Sequence, residues 1–356
     1  MKLDVYTFGR PLPEMGPLAA DAEAIGFAGL WSAEAQHNPF LQVAAAGLTT
    51  ERLLVGTNVA VAFARSPMVT AQAAWDLAEA TGGRFVLGLG SQVKAHVVRR
   101  FSAEFSHPGP RLREYVLALR HIFAAFGRRT PLKFDGEFYR FNLLTPFFAP
   151  DPAMAWPIPI YLAGVNRIMA RIAGEVADGL CVHPLHSSRY LTELVRPALA
   201  EGADSAGRSV TDVSLVVPVF CITGDTPAEV DAQRRSVRQQ IAFYGSTPAY
   251  RSVFALHGWE GAAEQLSRLQ RRGQVDDMAA CVTDEILDEF AVTAGWDELA
   301  PKLVARYQGV AERIVPYGTA GDWLGVPGRA EAWSAVAAEV HAAAPLPARD
   351  PDGGRW

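Results

Sequence analysis

The sequence is poor in cysteine. Its 356 residues contain only Cys181, Cys221 and Cys281, and none stands at a spacing typical of a metal site or a redox-active pair. Isolated thiols are usual in a reducing compartment, because disulfides persist mainly where the surroundings are oxidising. The sequence therefore predicts no disulfide framework and no metal centre, and it favours a cytoplasmic location.

Long apolar runs and charge of one sign are also missing. No segment reaches the roughly 18 to 20 apolar residues that cross a bilayer. The opening stretch MKLDVYTFGR lacks the apolar core of a signal peptide. The net charge of −5 is spread without long runs of like charge. We therefore expect neither a membrane nor nucleic acid as a partner.

What the sequence does have is apolar residues, 49% of the total, which is enough for a large core. They form continuous runs such as 53–63 and 84–89, which are typical of parallel strands buried on both faces. Between these two runs lies a helical pattern that begins at Ser66-Pro67 and ends at Gly82. The segment is therefore predicted to be one strand–helix–strand unit.

Strand patterns recur eight times, and most are followed by a helix. The predicted strands are 2–7, 28–33, 53–61, 84–89, 158–163, 179–183, 213–222 and 313–317. Eight alternating units favour an α/β fold of the (β/α)8 TIM-barrel type, in which a parallel sheet closes on itself. We expect a single domain over 1–343 with insertions near 92–157 and 245–310, and a flexible tail over 344–356.

A two-domain Rossmann fold is the structural alternative. Its dinucleotide fingerprint requires a glycine-rich turn after the first strand. Here Gly88-Leu89-Gly90 follows the fourth predicted strand, and Val93 occupies the place of the third glycine. The barrel is therefore favoured. In its first insertion, Asp135-Gly136 between aromatic-rich flanks predicts a β-hairpin near the barrel mouth.

In a barrel, reactive groups lie at the carboxyl ends of the strands. The second strand is followed by Glu34, Gln36 and His37, and an imidazole is well suited to proton transfer near neutral pH. The fifth strand leads through Gly164 into a helix start at 165–167. Free backbone N–H groups at a helix start can hold a phosphate, although an ordinary capped turn explains the same residues equally well.

Two longer stretches resemble a known family. They are GTNVAVAFARSPMVTAQAAWDLAEATGGRFVLGLGSQVKAHVVRRF and IYLAGVNRIMARIAGEVADGLCVHP. Both are similar to signature regions of the bacterial luciferase-like flavin and deazaflavin oxidoreductases. The resemblance covers roughly residues 1–340 and implies a TIM barrel with insertions and a homodimer. Within the family, the chain is most similar to the branch that uses coenzyme F420, a deazaflavin, rather than FMN.

The resemblance also implies roles for single residues. Glu34 and His37 match a segment beside the reactive ring, where they would act as acid, base or ring-positioning donor. The implied cofactor-binding residues are Asn58, Val59, Gly90, Ser91, Gln92, Gly164, Val165, Asn166, Arg167 and His183. In relatives, the bond that matches Asn58–Val59 is often a cis peptide although no proline is present.

One departure from the family narrows the function. Val93 and Lys94 stand where some F420-dependent sugar-phosphate dehydrogenases carry a glutamate, so glucose 6-phosphate is not the expected substrate. The leading hypothesis is hydride transfer between F420 and a small organic molecule. The alternative is an FMN-dependent monooxygenase that uses reduced flavin and oxygen. A non-catalytic flavin-binding protein and a TIM-barrel metallohydrolase are the remaining hypotheses.

Overall fold

A computed structural model describes residues 1–128, 131–152 and 156–343. The predicted tail over 344–356 lies outside these ranges. The strands are β1 Lys2–Leu3, β2 Val5–Thr7, β3 Gly29–Ser32, β4 Leu54–Thr57, β5 Ala60–Val61, β6 Phe85–Gly90, β7 Phe134–Asp135, β8 Arg140–Phe141, β9 Ile160–Gly164, β10 Gly179–Val182, β11 Ser214–Ile222, β12 Ala291–Thr293 and β13 Arg313–Pro316. Each of the eight predicted strands is therefore present.

The sheet closes through its first segment. Asp4 divides this segment into β1, which pairs in parallel with β13, and β2, which pairs in parallel with β3. The order around the ring is β1, β13, β11, β10, β9, β6, β4, β3 and β2. All pairings along this path are parallel. The predicted TIM-barrel fold is confirmed, with helices outside the ring.

The helices follow the predicted apolar periodicity. They are α1 Leu12–Ile25, α2 Pro39–Leu48, α3 Pro67–Ala80, α4 Lys94–Arg99, α5 Pro108–Arg128, α6 Arg167–Val176, α7 Ser188–Tyr190, α8 Arg196–Ser205, α9 Pro227–Gly245, α10 Arg251–Ala255, α11 Glu260–Arg271, α12 Asp284–Phe290, α13 Trp296–Tyr307 and α14 Arg329–Ala343. Ser66 caps α3 as predicted, because its hydroxyl accepts from the N–H of Val69. Among the described ranges, no helix combines the length and apolarity that crossing a membrane requires.

The structure differs from the predicted elements in several places. The predicted strands 2–7 and 53–61 are each divided in two, into β1 and β2 and into β4 and β5. The helix expected after the sixth strand is divided into α7 and α8, which are joined by a π-helical turn, Leu191–Val195. The segment after α12 becomes β12, which pairs with the carboxyl end of β11 through Phe220↔Ala291 and Ile222↔Thr293. Such a short strand has too few residues to show an alternating pattern, so its sequence resembles the end of the preceding helix.

The predicted hairpin is present as β7 and β8. Phe134 pairs with Phe141 in an antiparallel ladder. Its tip is fastened to α5, because the Glu114 carboxylate accepts from the backbone N–H groups of residues 137, 138 and 139 at 2.7–2.9 Å. A carboxylate that gathers several N–H groups in this way fixes a loop more firmly than a single neutral bond would.

An ion pair is buried inside the barrel. Arg313 donates two hydrogen bonds to the Asp4 carboxylate, at 2.6 and 2.7 Å, and Trp31 Nε1 donates a third at 2.8 Å. Asp4 is fully buried and Arg313 is 5% exposed. Gly29 leaves the necessary space, because a Cβ there would lie 3.0 Å from the guanidinium and 3.1 Å from the carboxylate.

We predict that Asp4→Asn destabilises the protein strongly, because it leaves the Arg313 charge buried without its anion. Breaking a buried pair in this way costs about 3–5 kcal/mol. Urea unfolding followed by circular dichroism measures the loss. The control is the double variant Asp4→Leu/Arg313→Met, which removes both charges and should lose much less. Equal losses in the two proteins would contradict the prediction.

Candidate active site

Every predicted site residue lies on one rim of the barrel. Parallel strands present their carboxyl ends on the same side, and each predicted segment follows such an end. Residues 34–37 follow β3, 58–59 join β4 to β5, 91–92 follow β6, 165–167 follow β9, and His183 follows β10. The predicted site segments therefore lie together at one end of the barrel, which we call its mouth.

Glu34 is held by an ion pair. Its two carboxylate oxygens accept from the two terminal nitrogens of Arg65 at 2.7 Å, and the Val61 N–H donates to the same carboxylate at 2.7 Å. The Glu34 side chain is only 5% exposed. These contacts tie the loop after β3 to β5 and the turn that follows it. They suit a positioning role, and the role of Glu34 as acid or base stays a prediction.

His37 has a different environment. Its half-buried ring packs on Gly9, where a Cβ would lie 3.0 Å from His37 Cδ2. Gly9 has a φ of 101°, so the loop after β2 both needs glycine and leaves room for the imidazole. Within the described residues, the ring makes no hydrogen bond that competes with a ligand. His37 is therefore better placed than Glu34 for proton transfer.

The segment Asn58–Val59 forms the back of the mouth. Its peptide bond is cis, as the family resemblance implied. The Asn58 carbonyl accepts from the Tyr6 hydroxyl at 3.0 Å, whereas Asn58 Nδ2 is buried without a partner among the described residues. A buried amide donor without an acceptor costs free energy, so this atom is able to donate to a polar ligand atom at the rim.

Two glycines inside β6 make room for this segment, so the predicted turn at Gly88 and Gly90 is part of the strand. A Cβ on Gly88 would lie 1.9 Å from the Thr57 carbonyl, and a Cβ on Gly90 would lie 2.7 Å from Val59 Cγ2. Both glycines thus allow β4, β5 and β6 to approach closely. Ser91 and Gln92 follow at the surface, and the Gln92 side chain accepts from the Val93 N–H at 2.9 Å.

Gly164 leads from β9 into the start of α6. Asn166 caps this helix, because its side-chain oxygen accepts from the Met169 N–H at 2.9 Å. Arg167 pairs with Glu201 at 2.6 Å, and both side chains are exposed. The guanidinium is therefore already engaged, and an anion at this helix start would be held mainly by backbone N–H groups. Val165 contributes its carbonyl to the Tyr190 hydroxyl.

His183 belongs to a group of six rings that we call the mouth cluster. Its members are Tyr6, Phe8, His183, Tyr244, Tyr250 and Tyr317. The His183 ring lies 4.5 Å from that of Tyr244 and 4.4 Å from that of Tyr250. Sequence reasoning did not single out the four tyrosines. Only their positions in the sequence could have indicated them, since Tyr6 lies in β2 and Tyr317 directly follows β13.

Loss of hydration disfavours the charged form of two neighbouring histidines. Burial, together with the nearby His186, lowers the pKa of His183 to about 3. Burial also lowers the pKa of His186 to about 4. His186 Nδ1 donates to the His183 carbonyl, which leaves Nε2 to accept from the Tyr307 hydroxyl at 3.1 Å. Both rings are therefore neutral at physiological pH.

A polar cavity of about 510 Å³ lies elsewhere, between α9, α12, β12 and α13. Its cations are occupied, because Arg306 donates to the Ala291 carbonyl at 2.7 Å and Lys302 pairs with Glu298 at 2.8 Å. Within the described ranges, no group of three His, Cys, Asp or Glu side chains is arranged to hold a metal ion. The rim of the barrel thus remains the candidate active site.

We predict that the protein loses stability as the pH falls below about 6.5, the pKa of an unfolded histidine. The unfolded chain then takes up protons that the folded His183 and His186 do not, so stability is lost towards pH 4. Each histidine contributes a slope of up to about 1.4 kcal/mol per pH unit. Urea unfolding between pH 7.5 and 4.5 measures how the free energy of unfolding changes with pH.

His186→Gln should reduce this slope, whereas His96→Gln should not, because His96 is exposed. An unchanged slope in His186→Gln would contradict the role given to His186.

Comparison with known proteins identifies the family of the chain. The chain is 44% identical over 310 residues to an uncharacterised protein of Mycobacterium tuberculosis, which covers 86% of this chain and 91% of that protein. It is 32% identical over 198 residues to an F420-dependent glucose-6-phosphate dehydrogenase of Intrasporangium calvum, covering 53% and 57%. The fold matches the coenzyme F420-dependent tetrahydromethanopterin reductase of Methanopyrus kandleri with a TM-score of 0.76 at 18% identity, over 95% and 98% of the two chains. The family model of luciferase-like monooxygenases matches residues 3–313. The chain therefore belongs to the luciferase-like monooxygenase family and is an oxidoreductase.

Proposed function

We propose that the protein is a cytoplasmic oxidoreductase that uses coenzyme F420 to transfer hydride to or from a small organic molecule. The observation that carries this proposal is the buried Asn58 Nδ2 donor at the rim, which has no partner among the described residues. Relatives and a solved structure of the same fold that carry coenzyme F420 in their names support the choice of cofactor.

The residues of the rim fit a flat tricyclic ring with an anionic tail. Val59, packed closely on Gly90, offers an apolar surface for the face of such a ring. Asn58 Nδ2 is a donor for a carbonyl oxygen at its edge. The start of α6 offers backbone N–H groups for a phosphate, with the helix dipole favouring negative charge. When bound, a deazaflavin supplies a carbon that gives or accepts hydride.

The protein supplies orientation, proton transfer and exclusion of water. His37 would hold or release the proton that accompanies hydride transfer, since its imidazole lies at the rim without a competing bond among the described residues. Glu34 would act indirectly, because its pair with Arg65 fixes the loop that carries His37. The rings of the mouth cluster would shield the reacting atoms from bulk water.

An FMN-dependent monooxygenase remains the second candidate, because the family is named for such enzymes. The two functions differ in the cofactor that binds and in the need for oxygen. An F420-dependent enzyme would work without oxygen, whereas a monooxygenase would stop.

We predict that the purified protein binds F420 at least about ten-fold more tightly than FMN, measured by fluorescence titration. Gly90→Ala should weaken F420 binding, because the added Cβ pushes Val59 out of place. The matched control is Gly261→Ala on α11, where a Cβ meets nothing within 4 Å. Melting curves show whether each variant folds. Tighter binding of FMN would reject the F420 proposal in favour of the monooxygenase.

We also propose that the protein forms a homodimer through α2 and α3. Leu41 and Leu48 on α2 are 56% and 69% exposed, and Val69 on α3 is 53% exposed. Neighbouring exposed apolar side chains on two packed helices are typical of a surface that a partner covers. A C2 dimer would bury the same side chains from both copies.

We predict that Leu48→Glu shifts the protein from dimer to monomer in sedimentation-velocity experiments at micromolar concentration, because it places two charges in the proposed interface. Phe147→Glu is the control, since Phe147 is 89% exposed but lies after the hairpin. A wild-type monomer, or dissociation by the control alone, would refute this interface.

A further inference from the structure

The rim of the barrel divides into two arcs. In ring order, β4, β6 and β9 carry the segments proposed to hold the cofactor, and β10, β11, β13 and β2 form the other side. The mouth cluster follows this second side: Tyr6 and Phe8 come from β2 and its loop, and Tyr317 follows β13. His183, which the family resemblance implies for cofactor binding, follows β10 and so lies on this side as well. Tyr244 and Tyr250 reach the same place from α9 and the segment after it. β3, with Glu34 and His37, stands between the two arcs.

Two hydroxyl hydrogens of this second arc have no acceptor among the described residues, one on Tyr250 and one on the pair formed by Tyr244 and Tyr317. The Tyr6 hydroxyl donates to the Asn58 carbonyl. The hydroxyls of Tyr244 and Tyr317 bond to each other at 2.9 Å. This bond uses one of their two hydrogens, whichever residue donates, so the other hydrogen has no acceptor among the described residues. Both side chains are half-buried, so a ligand in the mouth can reach them.

The mouth cluster makes no contact with a charged side chain among the described residues. Within the described residues, the ring contacts and hydrogen bonds of the mouth cluster involve no Asp, Glu, Lys or Arg side chain. Burial raises the pKa of Tyr244 and Tyr317 and lowers that of His183 to about 3, so each of these groups is neutral at pH 7. A phosphate or carboxylate placed here would lose its hydration without gaining a cation in exchange.

We propose that this arc binds an uncharged, flat organic substrate whose carbonyl oxygen accepts the free hydroxyl hydrogen of the Tyr244–Tyr317 pair. The rings of Phe8, His183 and Tyr250 then contact the body of the substrate. This inference rests on the proposed function, because it takes the arc opposite the cofactor segments as the substrate side. Tyr244 and Tyr317 are accordingly specificity residues, and sugar phosphates are excluded.

The test uses three naphthalene probes of similar shape. 2-Acetylnaphthalene carries a neutral carbonyl, 2-ethylnaphthalene has no acceptor, and 2-naphthoate carries a charge. Isothermal titration calorimetry at pH 7.5 compares their affinities for the full-length protein, with and without F420. We expect the acetyl probe to bind about three- to ten-fold more tightly than the ethyl probe, the usual effect of one neutral hydrogen bond. It should exceed naphthoate by at least ten-fold.

Variants separate the hydroxyls from the shape of the mouth. Tyr244→Phe and Tyr317→Phe each leave one hydroxyl with a hydrogen to donate, so each should keep part of the preference for the acetyl probe. The double variant Tyr244→Phe/Tyr317→Phe should lose most of the preference for the acetyl probe. A triple variant that adds Tyr250→Phe removes the remaining free hydroxyl of the cluster and should bind the acetyl and ethyl probes equally. Tyr139→Phe is the control, because the Tyr139 hydroxyl accepts from Arg111 away from the mouth cluster and should not matter.

Three results would overturn the inference: naphthoate binding as tightly as the acetyl probe, an unchanged preference in the double variant, or no binding of the acetyl probe at its solubility limit. These outcomes are separate from the fate of the proposed function. If F420 binds and naphthoate is preferred, only the substrate inference fails. If F420 does not bind but the acetyl probe is preferred and the double variant loses that preference, only the proposed cofactor fails.

Discussion

The buried pair of Asp4 and Arg313 lies where the barrel closes, and the geometry of the rim depends on it. Asp4 separates β1 from β2, Arg313 begins β13, and Trp31 in β3 donates to the same carboxylate. One carboxylate therefore joins the strands on both sides of the seam. Because side chains alternate along a strand, Tyr6 points to the same side as Asp4, and its hydroxyl reaches the Asn58 carbonyl. Asp4 and Tyr6 thus connect the seam where the barrel closes to the proposed cofactor segment at Asn58.

This arrangement explains why the interior can be polar at one level and aromatic at another. Charges buried at the seam are compensated by three short hydrogen bonds, so they need no water. Above them the interior contains Trp31, Tyr161, Cys181, Val216 and Val315. Trp31 links this layer to the ion pair through its bond to Asp4, whereas the rings of the mouth cluster contact no charged side chain among the described residues.

Much of the fold could be predicted from the sequence, because buried parallel strands leave continuous apolar runs and helices leave capped, periodic ones. Contacts between residues far apart in the sequence could not be predicted. Nothing local marks Asp4 and Arg313 as partners, since 309 residues separate them. β12 is too short to show a pattern. The mouth cluster draws residues from opposite ends of the chain and from an insertion, so its composition became visible only with the strands in place.

In the candidate site too, the sequence indicates where residues lie but not what they contact. The glycines of β6 and the carboxylate of Glu34 are two examples. The sequence suggests a turn at Gly88 and Gly90, yet both glycines lie within β6 and are required by the closeness of Thr57 and Val59. An acidic residue near a histidine suggests shared proton transfer, yet Glu34 is fully engaged by Arg65 and the Val61 N–H. Both patterns name the right place on the rim, because strand ends are where such residues gather. What each residue does there depends on its nearest partner in space. Glu34 is held by Arg65, whereas the ring of His37 packs on Gly9 and makes no hydrogen bond among the described residues. His37 is therefore the group between the two arcs that is free for proton transfer.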